Sequence, residues 1–389
     1  MNTDLSYILN HLGEQRERYF DAVIPPIVQS AIFAHPDIAT MRRRLNDEFS
    51  EHAYTRGLNP TVEIVAKKLA ALEGGESCLM FGSGAAAVAA GVMTLVSAGD
   101  EVLCVDKPYA WTGLLLRKLL HRFGVRTRFV DARETAEVEA ALTSATRLIV
   151  LESPNSLTFE QQDLAAIAAL AQARGIRTLI DNSYATPLGQ QPLALGIDLV
   201  AHSATKYLNG HSDVVAGCLI GSEALMRLVF AGPYMTLGAI LSPHDAWLLL
   251  RGMRTLPARM RQIAETTQQV LQAIEVHPRV LRIHYPQHAT HPQWQLSTAQ
   301  LRHANGLFSI ELDVPDIAAI DRCCNALQRF LIAASWGSYE SLVFPVAGVR
   351  EWKSLSDSAS VPLNLVRFSI GLESPEVLIA DLQQALARI

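Results

Sequence analysis

From about residue 62 the chain alternates amphipathic stretches with short apolar runs rich in β-branched residues. EVLCV (101–105), RTRFV (126–130), RLIVLE (147–152), RTLID (177–181) and DLVAH (198–202) follow one another at βαβ spacing. Runs without a consistent polar face predict a mostly parallel sheet covered by helices on both sides. After VVAGCLIG (214–221) the rhythm gives way to a helix-rich stretch through WLLLRGMRTLPARMRQIAETTQQVLQAI. Strand candidates then appear at GLFSIEL (306–312), LVFPV (342–346) and LVRFSIG (365–371), with a closing helix in VLIADLQQALARI (377–389). The pattern predicts an N-terminal arm over 1–54, a large α/β unit over 55–255, and a smaller α/β unit over 256–389 with some antiparallel pairing.

Composition narrows the function classes. Acidic residues number 38 against 33 basic ones, for a net charge of −5 with no long run of either sign. Nothing therefore marks a polyanion-binding surface, and nucleic acid is not expected as a partner. Arg42, Arg43 and Arg44 form the one basic cluster and read as a solvated helix face. The opening MNTDLSYILNHLGEQRERYF lacks the pattern of a secretory signal. The small-apolar stretch Ala85 to Ala98 falls short of the roughly 20 residues a membrane span needs. Cys78, Cys104, Cys218, Cys323 and Cys324 show neither metal-ligand spacing nor a CxxC pair, so reduced buried thiols, no metal and a cytoplasmic location are expected.

Four places offer chemistry. In SATKYLNGHSD (203–213), Lys206 is an amine flanked by the hydroxyls of Ser203 and Thr205, which suit a phosphate; a solvent-facing lysine is the alternative. Asp181 closes the strand RTLID, where open α/β sheets place ligands, and a carboxylate there can hold a pyridinium nitrogen protonated or simply cap a turn. FGSGAAAVAAGVMTLV (81–96) is a glycine-rich turn entering an apolar helix. The amides after Gly82, Ser83 and Gly84 can approach an anion, or the glycines can serve close packing. It matches neither dinucleotide nor nucleotide-triphosphate loops. Arg367, in a C-terminal strand, has the fork geometry to grip a carboxylate; a structural acid or water is the alternative partner.

Together these pieces resemble the cystathionine lyase and synthase family of pyridoxal-phosphate enzymes, the Cys/Met metabolism family. The resemblance runs from Tyr54 to Ile389 on AYTRGLNPT, ALEGG, FGSGAAAV, ESP, IDN, HSATKYLNGHSD, LRGMRTL and SWGSYESL. It implies the aspartate-aminotransferase-like fold, fold type I, with pyridoxal 5'-phosphate as cofactor. Lys206 is then the lysine that carries the cofactor, Asp181 the partner of its ring nitrogen, and Tyr109 the ring that stacks on it. Gly84, Ala85, Ser203 and Thr205 match the phosphate cradle. Tyr54 and Arg56 match the pair that reaches the cofactor phosphate of a neighbouring subunit, which implies a homodimer at least, and usually a homotetramer with shared sites. Ser335 and Arg367 match the grip on the α-carboxylate of a small amino-acid substrate.

Within the family, Trp336 after Ser335, Ala334 where γ-acting members carry an acid, and ESPNSLTFE most resemble the bacterial cystathionine β-lyases. That branch implies β-elimination of L-cystathionine to homocysteine, pyruvate and ammonia. A γ-lyase or O-acyl-homoserine sulfhydrylase of the same family, and a catalytically silent binding protein on this fold, are the alternatives. Two features depart from the β-lyase pattern: Ala110 and Trp111 follow Tyr109 where many members carry two small residues, and AYTRGLNPT keeps the NPT of the wider family.

Overall fold

The computed structural model describes residues 4–349 and 361–389. Seven strands, β1 (Ser77–Phe81), β2 (Glu101–Val105), β3 (Arg126–Val130), β4 (Thr146–Glu152), β5 (Arg177–Asp181), β6 (Leu199–His202) and β7 (Gly217–Gly221), form one sheet in the order β1-β7-β6-β5-β4-β2-β3. The five strands from β6 to β3 are parallel, and β7 runs against both β1 and β6. β1 therefore points the same way as the parallel set, and the carboxyl ends of β1, β2, β4, β5 and β6 share one edge. That edge is where an open α/β sheet presents a ligand site.

β2, β3 and β5 coincide with the apolar runs, while β6 and β7 start one and three residues inside theirs. β3 lies at the sheet edge, so Arg126 and Arg128 are exposed there, unlike the two-sided apolar strands inside. β1 pairs with β7 outside the βαβ rhythm. Helices such as Pro60–Glu73, Gly84–Leu95 and Leu164–Ala173 bury Val65, Leu69, Ala87, Val92 and Ile167 against the sheet and its neighbours.

A second sheet follows, with β8 (Val280–His284), β9 (Leu307–Leu312), β10 (Leu331–Ile332), β11 (Leu342–Pro345) and β12 (Leu365–Ser369) in the order β10-β11-β12-β9-β8. All its pairs are antiparallel except β10 with β11. Helices Leu256–Ile274, Ile317–Ala326 and Pro375–Leu386 cover it around Val270, Phe308, Ile310, Phe368 and Leu382. Residue 255 sits between the helices Pro243–Met253 and Leu256–Ile274, but packing is continuous there, with Met253, Leu256, Met260 and Ile263 in one core with Val65 and Leu69.

The first described residues pack onto the large unit. Ile8 and Leu9 are buried, and the buried Lys68 ammonium donates to both of their carbonyls at 2.9 and 3.0 Å. Glu14, fully buried, pairs with Lys68 and Arg254. Beyond it, Phe20, Val23, Ile32 and Ile38 are exposed. Arg43 and Arg44 lie on a helix (Ile38–Asn46) and pair with Glu51. All five cysteines are free and buried. Among the described residues, no helix is long and apolar enough to cross a membrane, and no group of three or more His, Cys, Asp or Glu is placed to hold a metal.

Candidate active site

The carboxyl edge of the first sheet gathers most of the candidate residues. Asp181 is the last residue of β5, and its Oδ1 accepts from the Ser183 amide at 2.9 Å and the Ser183 hydroxyl at 2.5 Å. Ser183 Oγ in turn accepts from the Ser203 amide at 2.6 Å, which ties the loop after β5 to the loop after β6. That second loop is wound tightly: the Lys206 amide donates to Ser203 O at 3.1 Å, and the Gly210 amide to Lys206 O at 2.8 Å.

Lys206 points away from solvent. Its ammonium donates to Ser335 Oγ at 2.6 Å and lies 5.4 Å from the centre of the Trp336 ring. Burial, and then the nearby Arg367 cation, pull it down to about 8 from an ordinary 10.5, against the pull of Asp181. A good share of this amine is therefore neutral near pH 8, as a nucleophile or base requires.

The glycine-rich turn is built for close approach. A Cβ on Gly84 would lie 2.8 Å from Ser203 Cα, and one on Gly217, at the start of β7, would lie 2.2 Å from Ser83 O. Only glycine lets these three segments meet. Ser83 caps the helix Gly84–Leu95 by accepting from the Ala86 amide at 3.1 Å, and the first-turn amides of Gly84 and Ala85 have no partner inside the helix by geometry. Thr205 Oγ1 both donates to Ala216 O and accepts from its amide, at 3.2 and 3.0 Å. The Ser203 segment thus lies against the helix N-terminus and its first-turn amides, an arrangement that suits a phosphate.

The second sheet supplies the opposite wall. Arg367 sits in mid-β12 between Phe344 and Ser309, only 7 % exposed. Among the described residues no carboxylate pairs with it, and its hydrogen bonds go to two backbone carbonyls, Ala334 O at 3.0 Å and Ser335 O at 3.3 Å. Burial pulls it down to about 10. A buried guanidinium facing no carboxylate is costly, and an anionic ligand removes that cost. Trp336 meets the Tyr207 ring edge-on at 5.5 Å and packs between two cores, so it is both a packing residue and a neighbour of Lys206.

Tyr109 is half exposed, and its phenol is pushed up by burial and then by Asp181 and Glu152, against the pull of Arg367; all three lie near its ring. Trp111, also half exposed, lines a hollow of 510 Å³ with Ala85, Leu115, Lys118 and Arg122. Tyr54 and Arg56 stay apart from this group. Both are exposed, and the Arg56 guanidinium lies 5.4 Å from the Tyr54 ring. Glu152, Ser156 and Ser183 belong to the cluster although sequence reasoning did not single them out. The sequence signals for Glu152 were its place at the carboxyl end of an apolar internal strand and at the head of the ESP motif.

The sequence matches the Cys/Met metabolism PLP-dependent enzyme family over residues 7–387. The chain belongs to that family. It is 39% identical to an L-methionine gamma-lyase of Pseudomonas putida over 380 residues, covering 97% of this chain and 95% of that one. It is 33% identical to a cystathionine beta-lyase of Lactococcus lactis subsp. cremoris over 389 residues, covering 99% and 100%. Its fold matches the crystal structure of a cystathionine gamma synthase from Xanthomonas oryzae pv. oryzae in complex with aminoacrylate and cysteine, with a TM-score of 0.92, 31% identity, and coverage of 99% and 98%. As a member of this family the chain uses pyridoxal phosphate. The glycine-lined cradle, the buried, lowered lysine and the buried arginine held by two backbone carbonyls fit that cofactor and an amino-acid carboxylate.

Proposed function

We infer that this member of the Cys/Met metabolism family is a carbon–sulfur lyase that cleaves L-cystathionine by β-elimination to homocysteine, pyruvate and ammonia. The observation that carries the β-specific reading is the Trp336 ring 5.4 Å from Lys206 Nζ, with Ala334 beside it in sequence. A bulky, uncharged wall at the reacting amine holds the Cβ–sulfur bond in line for cleavage, and geometry of that kind is worth several kcal/mol.

In this reading residues 55–255 carry the cofactor, and residues 256–389 bring Ser335, Trp336 and Arg367 to the substrate. Gly84 and Ala85 amides with Ser203 and Thr205 hydroxyls would hold the phosphate, Asp181 would meet the ring nitrogen, and Tyr109 would stack on the ring. Tyr54 and Arg56 serve the site of a neighbouring copy, which agrees with their exposure. Pyridoxal phosphate on Lys206 supplies an electron sink for the charge left at the substrate's α-carbon. Arg367 and Ser335 orient the α-carboxylate. Lys206 Nζ, lowered to about 8 by burial and Arg367, would remove the α-proton and pass a proton to the departing sulfur.

A second reading, γ-elimination from L-methionine, draws on the 39% identity to the Pseudomonas putida L-methionine gamma-lyase. One panel separates them: L-cystathionine, L-methionine and L-cysteine with the purified enzyme, and identification of the oxo acid formed. Pyruvate from L-cystathionine, with little turnover of L-methionine, is expected. Predominant 2-oxobutyrate overturns the β-specific reading and leaves the cofactor chemistry standing. Trp336→Leu should raise the 2-oxobutyrate share; a change in stability alone would assign Trp336 to packing.

A further inference from the structure

Glu152 has no role in the chemistry above, yet it lies at its centre. It is the last residue of β4, the strand between β5 and β2, and its register partner on β5 is Asp181. Two carboxylates thus end adjacent strands at the cofactor edge. The residue is 7 % exposed, and the hydrogen bonds it accepts come from uncharged donors of Tyr109 and Ser156. The Tyr109 backbone amide donates to Oε2 at 2.5 Å, and the Ser156 hydroxyl to Oε1 at 2.5 Å.

These contacts fix what the residue can do. Tyr109 opens the short helix Ala110–Leu114 after the turn that follows β2, and its side chain makes no capping bond to that helix. The Glu152 carboxylate therefore anchors the backbone at the point where the ring departs. The loop after β4 is itself held. Glu160 accepts from Lys107 at 2.7 and 2.8 Å, Asn155 N donates to Glu160 O at 2.9 Å, and Ser309 Oγ donates to Leu157 O at 2.8 Å. Ser156 is thus a fixed post, and Glu152 spans from it to Tyr109.

Charge decides between two possible uses of this acid. Burial first, and Asp181 second, push the Glu152 carboxyl well above the usual carboxylate range. Cys104, on β2, is a buried thiol that also feels Glu152 and adds no positive charge. Two anions side by side would repel, and burial adds to that cost at Glu152, so the arrangement favours a proton on Glu152.

We propose that Glu152 is a positioning residue, a carboxyl strut between Ser156 and the Tyr109 amide that sets the Tyr109 ring against the cofactor and leaves the charge to Asp181. The proposal rests on the reading of Tyr109 as the stacking ring. It predicts that shape matters at position 152 and ionisation does not, since an amide oxygen accepts from Tyr109 N as well as a carboxyl oxygen does.

The test uses holoenzyme of five forms: wild type, Glu152→Gln, Glu152→Ala, Tyr109→Ala and the Glu152→Ala/Tyr109→Ala double variant. Each is measured for kcat, KM and the visible circular dichroism of the bound cofactor. Glu152→Gln should stay within about threefold of wild type in kcat. Glu152→Ala should lose roughly tenfold or more in kcat with little change in KM, because a ring displaced by a fraction of an ångström acts on the chemical step. Its dichroism should move toward that of Tyr109→Ala, and the double variant should be no worse than Tyr109→Ala, the sign of two residues acting as one unit. Ser156→Ala, which frees only one end of the strut, should give an intermediate loss and keeps the test open if Glu152→Ala does not fold. Equal losses in Glu152→Gln and Glu152→Ala, multiplicative losses in the double variant, or wild-type kinetics in both Glu152→Ala and Ser156→Ala would overturn the proposal. Wild-type protein with no cofactor on Lys206 would overturn the parent reading and this inference together.

Discussion

Replacing Arg367 with methionine separates substrate binding from folding. Burial lowers the guanidinium from 12.5 to about 10, a displacement of about 3 kcal/mol. At pH 7 the group is charged in both the folded and the unfolded chain. The folded state therefore bears this cost at neutral pH and sheds it only as the pH rises above about 10. Against the cost stand two hydrogen bonds to Ala334 O and Ser335 O and the Phe344 ring 4.9 Å away, together about 3 kcal/mol. The two nearly cancel, so cofactor-free Arg367→Met should unfold within about 1 kcal/mol of wild type, a few degrees at most in Tm. Removing one member of a buried ion pair would instead cost about 3–5 kcal/mol. Catalysis should respond quite differently. Loss of a buried, charge-assisted grip on a carboxylate is worth about 3–4 kcal/mol, or roughly 10²- to 10³-fold in kcat/KM. Thermal unfolding at one protein concentration and steady-state kinetics on the holoenzyme read the two effects separately. A stability loss above about 3 kcal/mol with kcat/KM within about threefold of wild type would make Arg367 a structural residue and refute the reasoning.

Three further outcomes follow from the same site. Asp181→Asn should lose roughly 10²-fold or more in turnover with a smaller change in substrate affinity; near-normal turnover with cofactor bound would leave Asp181 only its turn-forming bonds to Ser183. Because Lys206 acts as a base when neutral and sits near 8, exchange of the substrate α-proton should rise with pH and reach half its plateau near pH 8, being about a hundredfold lower at pH 6. A plateau already reached at pH 6 contradicts that assignment. Arg56→Ala mixed with Lys206→Ala should regain activity through hybrid sites that carry both a good lysine and a good arginine, and subunits that exchange without any return of activity would rule out a shared site.

The fold was legible where burial is two-sided. β2 and β5 could be placed to the residue because an internal parallel strand must be apolar on both faces and is bounded by polar turns, and β3, at the sheet edge, was placed by its βαβ spacing. β1 was not, since SCLMF runs straight into the glycine-rich turn and pairs antiparallel with a strand some 140 residues later. β8 was hidden too: at the edge of its sheet, VLRIH exposes Leu281 and Arg282, and the pattern blurs. At the N-terminus, Ile8 and Leu9 are too few to signal docking, which depends on Lys68 satisfying their carbonyls. In the site, Lys206, Asp181 and Arg367 stand out through their combination with the family motifs, since each alone also fits an ordinary surface, turn or paired residue. Glu152 does not, because what makes it unusual is its register against Asp181, and register between strands some 25 residues apart is a tertiary fact.

The central claim is that Lys206, and no other lysine, holds the cofactor at the edge of the first sheet. Reduction of the purified holoenzyme with borohydride, followed by peptide mapping, tests it most directly, because reduction turns the lysine–cofactor imine into a permanent bond. The account predicts a yellow protein whose reduced cofactor sits on the peptide containing SATKYLNGHSD, at Lys206, and no such adduct in Lys206→Ala. A cofactor fixed to another lysine, or a protein that takes up none when supplied with pyridoxal phosphate, would contradict it.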